Sequence, residues 1–524
     1  MKKTSILFLF TVFCSIQNIQ TYAEMNPFFS EFKTPYKIPP FELIQDEHYK
    51  PAFYRAMESH LNEVDAITSN IDSPSFTNTI IALEKSGKDL DVVSSTFFNL
   101  QSSNTNDIMD EIAAEIGPKL SGHYDAIYLN KELFNRVKSV YNTSSELDLN
   151  TEQLRLISEM YKDFIRSGAQ LNEESMSVLT EINQELSSLT IEFDQNLLKE
   201  TNEGYQLIIS DVEQLDGLPK DIINQAKKLA QSEGHDGQWL FKPTRVSMYP
   251  FLTYSTQRDL RQKLYISYTK RGNNDNEYDN KAIAINIANL RLKRAKILGY
   301  ASHADFVLDN TMAQTTDRVK DLLDRVWSPG LETAKKEAAE MQKMIEDEGD
   351  TFELAAWDWW YYSEKIRQLK YDFSEEEAKP YFSQAKVLQG AFDVATKLFD
   401  ITFEERFDLP KYRENIRTFE VKDLVGNPIG VFYTDYTLRS NKGGGAWMNS
   451  FVDQSKFDGI ELPVVMNTCN FPPPNEDGIS LLSFEQVETL FHEFGHALHG
   501  LLSDVNYPSL SGTSVKRDYV EFPS

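Results

Sequence analysis

The sequence FHEFGHALH, residues 491–499, contains three of the eight histidines in a chain of 524 residues. On an α-helix His492 and His496 lie one turn apart, so both imidazoles project from one face and can bind the same metal ion. Glu493 follows the first histidine, where its carboxylate can act as a base on water at the metal. The segment therefore predicts a metal site with His492 and His496 as ligands and Glu493 as the catalytic base. The alternative is a helix that carries two histidines without a metal.

The residues around this segment predict that it is helical. Ser483 and Gln486 have the spacing of a capping box, in which each side chain accepts a hydrogen bond from the backbone of the other residue. Apolar residues then recur at intervals of three and four, which is typical of a helix that buries one face. They are Phe484, Val487, Phe491, Phe494, Leu498 and Leu501.

A third ligand is expected downstream, because catalytic zinc sites use three protein ligands and leave one position open. Between Ala497 and the last residue there is a single glutamate, Glu521. It ends the run RDYVE, which we predict to be a second short helix after the turn at residues 512–514. Two imidazoles and one carboxylate leave a Zn²⁺ site with net positive charge, as a Lewis acid requires. A pattern with a third histidine is excluded, because His499 and Leu502 stand where it needs glycine and histidine.

Two further residues near the histidines have open roles. His499 is on nearly the same helix face as His492, but we expect it to support the ligands or to pack, because Glu521 completes the usual set. Glu488, one turn before His492, either hydrogen-bonds to the site or is a solvated helix charge.

Composition excludes some classes of protein. The chain is 41% hydrophobic and 25% charged, as in ordinary soluble globular proteins. Its formal net charge is −27 and no Lys/Arg-rich run interrupts the acidic balance, which argues against a nucleic-acid partner. No later stretch is apolar enough to cross a bilayer, so we expect no membrane partner after the N-terminal signal is removed.

The first 23 residues have the layout of a secretory signal peptide. Lys2 and Lys3 precede an uncharged apolar stretch over residues 6–16, and a small residue stands at Ala23. We therefore expect a soluble exported protein, periplasmic or secreted. Beyond the signal only Cys469 is left, which allows no internal disulfide and predicts a buried thiol.

Helical periodicity dominates the rest of the chain and predicts a mainly α fold. Apolar positions from Phe76 through Gly87 to Phe97 fall on one helix face, and similar stripes cover residues 154–164, after a capping pair at Asn150 and Gln153, and 179–193. Residues 417–436 read as a β-hairpin around a Val-Gly-Asn-Pro turn, and residues 463–466 as a further strand. We place a soft boundary at residue 225, between an N-terminal helical region (24–225) and a catalytic region (226–524).

Longer stretches resemble a known family. TLFHEFGHALHGL (489–501) and YPSLSGTSVKRDYVEFPS (507–524) closely resemble the thimet oligopeptidase and peptidyl-dipeptidase family of zinc peptidases. The peptidyl-dipeptidase branch is the most similar, because its chains resemble five further stretches. These are NPFF (26–29), PPFELIQDEHYKPAF (39–53), SPSFTNTIIALEKSG (73–87), WDWWYYSEKIR (357–367) and GGGAWM (443–448).

The resemblance implies a mostly helical fold with two lobes on either side of a deep channel and one zinc ion near its floor. It implies the same roles for His492, His496, Glu521 and Glu493, and short peptides as substrates. The peptidyl-dipeptidase branch releases dipeptides from the C-terminus. Family chains continue past the glutamate ligand into a segment that supplies histidine and tyrosine residues to the transition state. We therefore expect a catalytic region that is incomplete at its C-terminus and a poor catalyst.

Two other runs have possible roles. The glycines at 443–445 either let a backbone edge approach an extended substrate or form a flexible surface loop. The aromatic residues within 357–362 are expected to pack in a core rather than to bind substrate.

Three other functions are weighed against the peptidyl-dipeptidase. A general oligopeptidase would cut inside short peptides, a non-catalytic fragment would only bind them, and a helical scaffold would carry the HExxH pattern by accident. Neither substrate-binding residues nor the oligomeric state follow from the sequence.

Overall fold

The computed structural model describes residues 26–475 and 477–524, and the predicted signal peptide lies outside them. The protein is mainly helical with a small sheet, which confirms the predicted fold class. Its helices are α1 Asp46–Thr68, α2 Ala82–Lys85, α3 Lys88–Ser103, α4 Asp107–Tyr128, α5 Lys131–Thr143, α6 Thr151–Ser167, α7 Glu173–Glu203, α8 Lys220–Ser232, α9 Arg245–Tyr254, α10 Arg258–Thr269, α11 Lys281–Ile297, α12 His303–Leu308, α13 Thr316–Asp347, α14 Trp359–Tyr371, α15 Glu375–Ala378, α16 Gln384–Phe399 and α17 Phe484–Leu501.

The strands form two separate sheets. They are β1 Leu207–Ile209, β2 Trp239–Phe241, β3 Thr402–Glu405, β4 Arg417–Lys422, β5 Pro428–Thr437, β6 Trp447–Val452 and β7 Val464–Phe471. β1 and β2 pair with each other, and the larger sheet has the order β3-β4-β5-β7-β6. β4 and β5 form the predicted antiparallel hairpin, and β7 includes residues 464–466 of the strand predicted at 463–466. β6 therefore lies at one edge of the larger sheet, directly after the glycine run.

Most of the predicted apolar faces are buried, but Leu154 is 39% exposed, and Ile182 and Leu186 pack with Leu290 of α11. The capping pair at Asn150 and Gln153 starts α6, and the stripe at 179–193 lies within α7. The single helix predicted through residues 76–97 is wrong at Gly87, where the chain turns with φ of 81° and α3 begins. A Cβ atom there would lie 2.7 Å from His60, and the Gly87 N–H donates to Glu63 at 2.8 Å. The turn is thus imposed by contacts with α1, which local periodicity does not reveal.

The core beneath the larger sheet positions α17. Phe494 packs against the rings of Phe392, Phe403 and Phe432, with centroids 5.7 to 5.8 Å apart. Gly500 approaches β7 so closely that an added Cβ would lie 3.0 Å from Val465. The helix that carries the two histidines is therefore fixed between α16 and the sheet.

The domain boundary stays a prediction, and residue 225 lies within α8. Among the described residues, no helix is both long and apolar enough to cross a membrane.

Candidate metal centre

Helix α17 begins as the sequence predicts. The Ser483 hydroxyl accepts from the Gln486 N–H at 3.2 Å, and the Gln486 side chain accepts from the Ser483 N–H at 2.9 Å. The cap sets where the helix starts and hence which side of it faces the core. Phe494 and Ala497 are turned into the core, so His492 and His496 are left on the other side.

The structure brings His492, His496 and Glu521 together. Glu521 Oε2 lies 3.3 Å from His492 Nε2 and 3.2 Å from His496 Nε2, and the three ligand atoms lie within 4.8 Å of one another. Two atoms that each bind a tetrahedral Zn²⁺ at about 2.0 to 2.1 Å are about 3.3 Å apart. Two imidazole nitrogens and one carboxylate oxygen therefore fit a zinc ion in both chemistry and spacing.

Glu521 reaches this place without the predicted second helix. Residues 517–521 form turns, so that prediction is wrong. The Lys516 carbonyl accepts from the Tyr519 and Val520 N–H groups, and tertiary contacts are added to this turn: the Asp518 carboxylate accepts from the N–H groups of Met312 and Ala313 at 2.9 Å each. Lys516 forms an ion pair with Glu159 at 2.9 Å. The segment is held by α6 and by the turn before α13, and not by its own helical propensity.

Gly495 lets the end of the chain lie against α17. A Cβ atom at this position would lie 2.6 Å from both the Pro523 carbonyl oxygen and the Ser524 Cα. Pro523 and Ser524 follow closely after Glu521, so this contact also places the carboxylate of the third candidate ligand. The glycine inside the HExxH pattern thus has a steric role that the pattern alone does not state.

Glu493 lies on the inner side of the metal cluster. Its side chain is buried, and Oε2 has no hydrogen-bond partner among the described residues. Burial, and then the negative charge of Glu521, raises its pKa to about 7. A buried carboxylate without a protein partner next to a metal site is free to exchange a proton with water.

His499 and Glu488 lie outside the metal cluster. Nδ1 of His499 is buried without a hydrogen-bond partner among the described residues, and burial lowers its pKa. The cluster of possible ligands among the described residues consists of His492, His496 and Glu521. Glu488 is exposed, which favours the alternative that it is a solvated helix charge.

A cavity of about 920 Å³ adjoins helix α17, which carries the two histidines. Thr489 of α17 lines it, three residues and about 4.5 Å of helix axis before His492. The glycines at 443–445 line it too, which places this run in a cleft as the resemblance favours. Trp360 was predicted to pack in a core, and its ring does pack on that of Tyr249, with centroids 5.3 Å apart. It also lines the cavity. Cys469 is buried, as expected.

Other walls of the cavity were not predicted. They come from α7, α9, α10 and the segment after α10, and include Thr201, Tyr249, Tyr268 and Arg271. No motif links these residues in the sequence, because they are brought together only by the packing of distant helices.

Comparison with known proteins decides the family. Residues 251–524 match the model of peptidase family M3. The chain belongs to peptidase family M3. It is 36% identical over 501 residues to a dipeptidyl carboxypeptidase of Escherichia coli. The matched region covers 95% of this chain and 73% of that protein. The chain is 32% identical over 496 residues to oligopeptidase A of Haemophilus influenzae, with 93% and 72% covered.

A solved structure, PZ peptidase A with inhibitor 2, superposes with a TM-score of 0.42 at 14% identity and covers 88% of this chain and 64% of that one. At this level the superposition adds nothing to the family assignment. Membership of the M3 family makes the protein a metallopeptidase that hydrolyses peptide bonds, and confirms the resemblance described above.

Proposed function

We propose that the protein is an exported zinc peptidyl-dipeptidase that releases dipeptides from the C-termini of short peptides. The observation that carries the zinc assignment is the convergence of His492 Nε2, His496 Nε2 and Glu521 Oε2. The mode of cleavage is supported by the similarity to the dipeptidyl carboxypeptidase. Export is supported by the sequence of residues 1–23, and N-terminal sequencing of the exported protein should start near Glu24.

The zinc would be held by the three side chains and supply a Lewis acid that polarises the scissile carbonyl and acidifies water. Glu493 takes a proton from the attacking water and passes it to the amine that leaves. Its buried carboxylate has no protein partner among the described residues that would compete for this proton. His492 and His496 have to be neutral to bind the metal, and burial lowers the pKa of His496 in that direction.

The cavity supports a peptide as the ligand. Its volume of about 920 Å³ lies within the range of pockets that enclose small ligands. Gly444 and Gly445 have no atoms within 4 Å of an added Cβ, so backbone is accessible there just before the edge strand β6. An extended peptide can approach such a strand through main-chain hydrogen bonds.

A second candidate is a general oligopeptidase, which the similarity to oligopeptidase A favours. The two are separated by incubating the zinc-loaded protein with an N-blocked hexapeptide that carries either a free or an amidated C-terminus. A peptidyl-dipeptidase releases a dipeptide from the free acid only. Equal cleavage of both peptides at an internal bond would support the oligopeptidase and contradict dipeptide release. Absence of cleavage in both would contradict the catalytic proposal.

A further inference from the structure

Five basic side chains line the cavity beside α17, and each of four forms an ion pair with an acid. Arg245 pairs with Glu485 at 3.2 Å, and Lys379 pairs with Asp221. Arg439 and Lys442 both pair with the buried Asp435. The fifth is Arg271, and among the described residues no carboxylate lies within 4.0 Å of its guanidinium.

Other groups fix the guanidinium of Arg271 in place. Its Nε donates to the Tyr268 carbonyl at 3.0 Å, and its Nη1 donates to the Thr201 hydroxyl at 3.0 Å. The guanidinium carbon lies 4.1 Å from the centre of the Tyr268 ring. Nη2 has no hydrogen-bond partner among the described residues. The cation is therefore preorganised and keeps donor capacity for a ligand.

Two acids of α7 do not form an ion pair with this cation. Glu200 is buried, and its carboxylate accepts from Asn274 and Asn276 at 2.7 and 2.8 Å. Asp194 lines the cavity, but it precedes Thr201 by seven residues on α7, about 10 Å along the helix axis. Arg271 is thus a fixed positive charge without an acidic partner among the described residues, whereas the other four basic side chains of the cavity are ion-paired.

We propose that Arg271 binds a carboxylate of the peptide ligand, and that this is the free carboxylate at its C-terminus. The choice of the C-terminus rests on the proposed release of C-terminal dipeptides. A guanidinium is planar and presents parallel donors that match the geometry of a carboxylate. Such an anchor at a set distance from the metal selects free acids over amides and fixes which bond reaches the metal centre.

The proposal is tested by binding, independently of turnover. The ligand is N-acetyl-glycyl-phenylalanine, whose only charge is its terminal carboxylate, and it is compared with its C-terminal amide by isothermal titration calorimetry on the zinc-loaded protein. Wild type should bind the free acid about 10- to 100-fold more tightly, as expected for one charge-assisted contact. In Arg271→Gln this preference should disappear, and Arg271→Lys should keep part of it. A structural role alone would change both affinities together.

The matched control is Arg245→Gln combined with Glu485→Gln, which removes a paired cavity cation without changing the net charge. It should keep the preference for the free acid. Persistence of the preference in a folded Arg271→Gln protein would overturn the proposal, and so would its absence in wild type. N-acetyl-glutamic acid α-amide carries its only carboxylate on the side chain. Arg271-dependent binding of this compound as tightly as the dipeptide would overturn the assignment to the C-terminus. The hexapeptide assay tests catalysis on its own, so a failure of the proposed activity is distinguished from a failure of this binding proposal.

Discussion

Glu521 Oε2 lies 3.2 Å from His496 Nε2, although Glu521 belongs to the turns at residues 517–521 and His496 to α17. The side chain of Glu521 is 65% exposed, whereas that of His496 is 12% exposed. The carboxylate of Glu521 therefore approaches a fixed pair of histidines from the solvent side. Its position depends on the contacts of residues 516–524.

Replacing Glu521 by alanine should remove one of the three metal contacts. We expect the affinity for Zn²⁺ to fall by more than about 100-fold, because even residues that only support a ligand contribute about 10- to 100-fold. Zinc content after dialysis against a competing chelator measures the effect. Glu488→Ala is the control, since Glu488 is an exposed carboxylate on the same helix. Equal zinc retention in both variants would contradict the assignment of Glu521 as a ligand.

Replacing Glu493 by glutamine should separate metal binding from catalysis. The amide has the same shape but cannot accept the proton, so hydrolysis should fall by about 100-fold or more. The zinc content should stay at the wild-type level, because Glu493 is outside the ligand cluster. Turnover and bound zinc are measured on the same samples. Unchanged hydrolysis of the free-acid hexapeptide would show that Glu493 is not the base.

Replacing Gly495 by alanine should push the end of the chain away from α17. The added Cβ would lie 2.6 Å from Pro523 and Ser524, so overpacking should cost about 1 to 3 kcal/mol or displace the segment that carries Glu521. Zinc affinity and thermal unfolding report the two effects. Gly390→Ala in α16 meets no atom within 4 Å and should be neutral or stabilising. If both variants bind zinc like wild type, the contact at Gly495 does not position Glu521.

A buried pair of histidines predicts how stability depends on pH. His123 Nε2 and His60 Nδ1 are 3.0 Å apart, and burial followed by the charge of His60 lowers the pKa of His123 to about 4. In the unfolded chain His123 is protonated with a pKa near 6.5, so below that pH the unfolded chain binds more protons at this residue than the folded protein does. The contribution of His123 is therefore complete above pH 6.5, falls as the pH decreases towards 4, and then levels off.

Urea unfolding of wild type and His123→Gln between pH 4 and 8 measures this contribution. The difference between their free energies of unfolding should change between pH 6.5 and 4 and be constant above pH 7. A difference that does not vary with pH would show that His123 has the same pKa in both states.

The local features of the site follow from the sequence, and the non-local ones do not. The cap at Ser483, the face of α17 and the hairpin at 417–436 depend on neighbouring residues, and each was predicted. Glu521 could be singled out because it is the only glutamate after Ala497. Its helix was predicted wrongly: residues 517–521 form turns, and the side chains of Lys516 and Asp518 tie this segment to α6 and to residues before α13.

The cavity shows the same limit. Arg271 has no neighbour in the sequence that marks it as a binding residue, and Thr201, which fixes it, is seventy positions earlier. The break at Gly87 likewise depends on His60 and Glu63 of another helix. Contacts of this kind leave no periodic pattern in the chain, so only the folded structure shows them.

We propose that His492, His496 and Glu521 bind one catalytic zinc ion. This proposal is tested most directly by a crystal structure of the zinc-loaded protein with anomalous diffraction on both sides of the zinc absorption edge. We predict one zinc peak, about 2.0 to 2.2 Å from His492 Nε2, His496 Nε2 and a carboxylate oxygen of Glu521. A zinc ion bound elsewhere, or bound by the two histidines with Glu521 turned away, would contradict it.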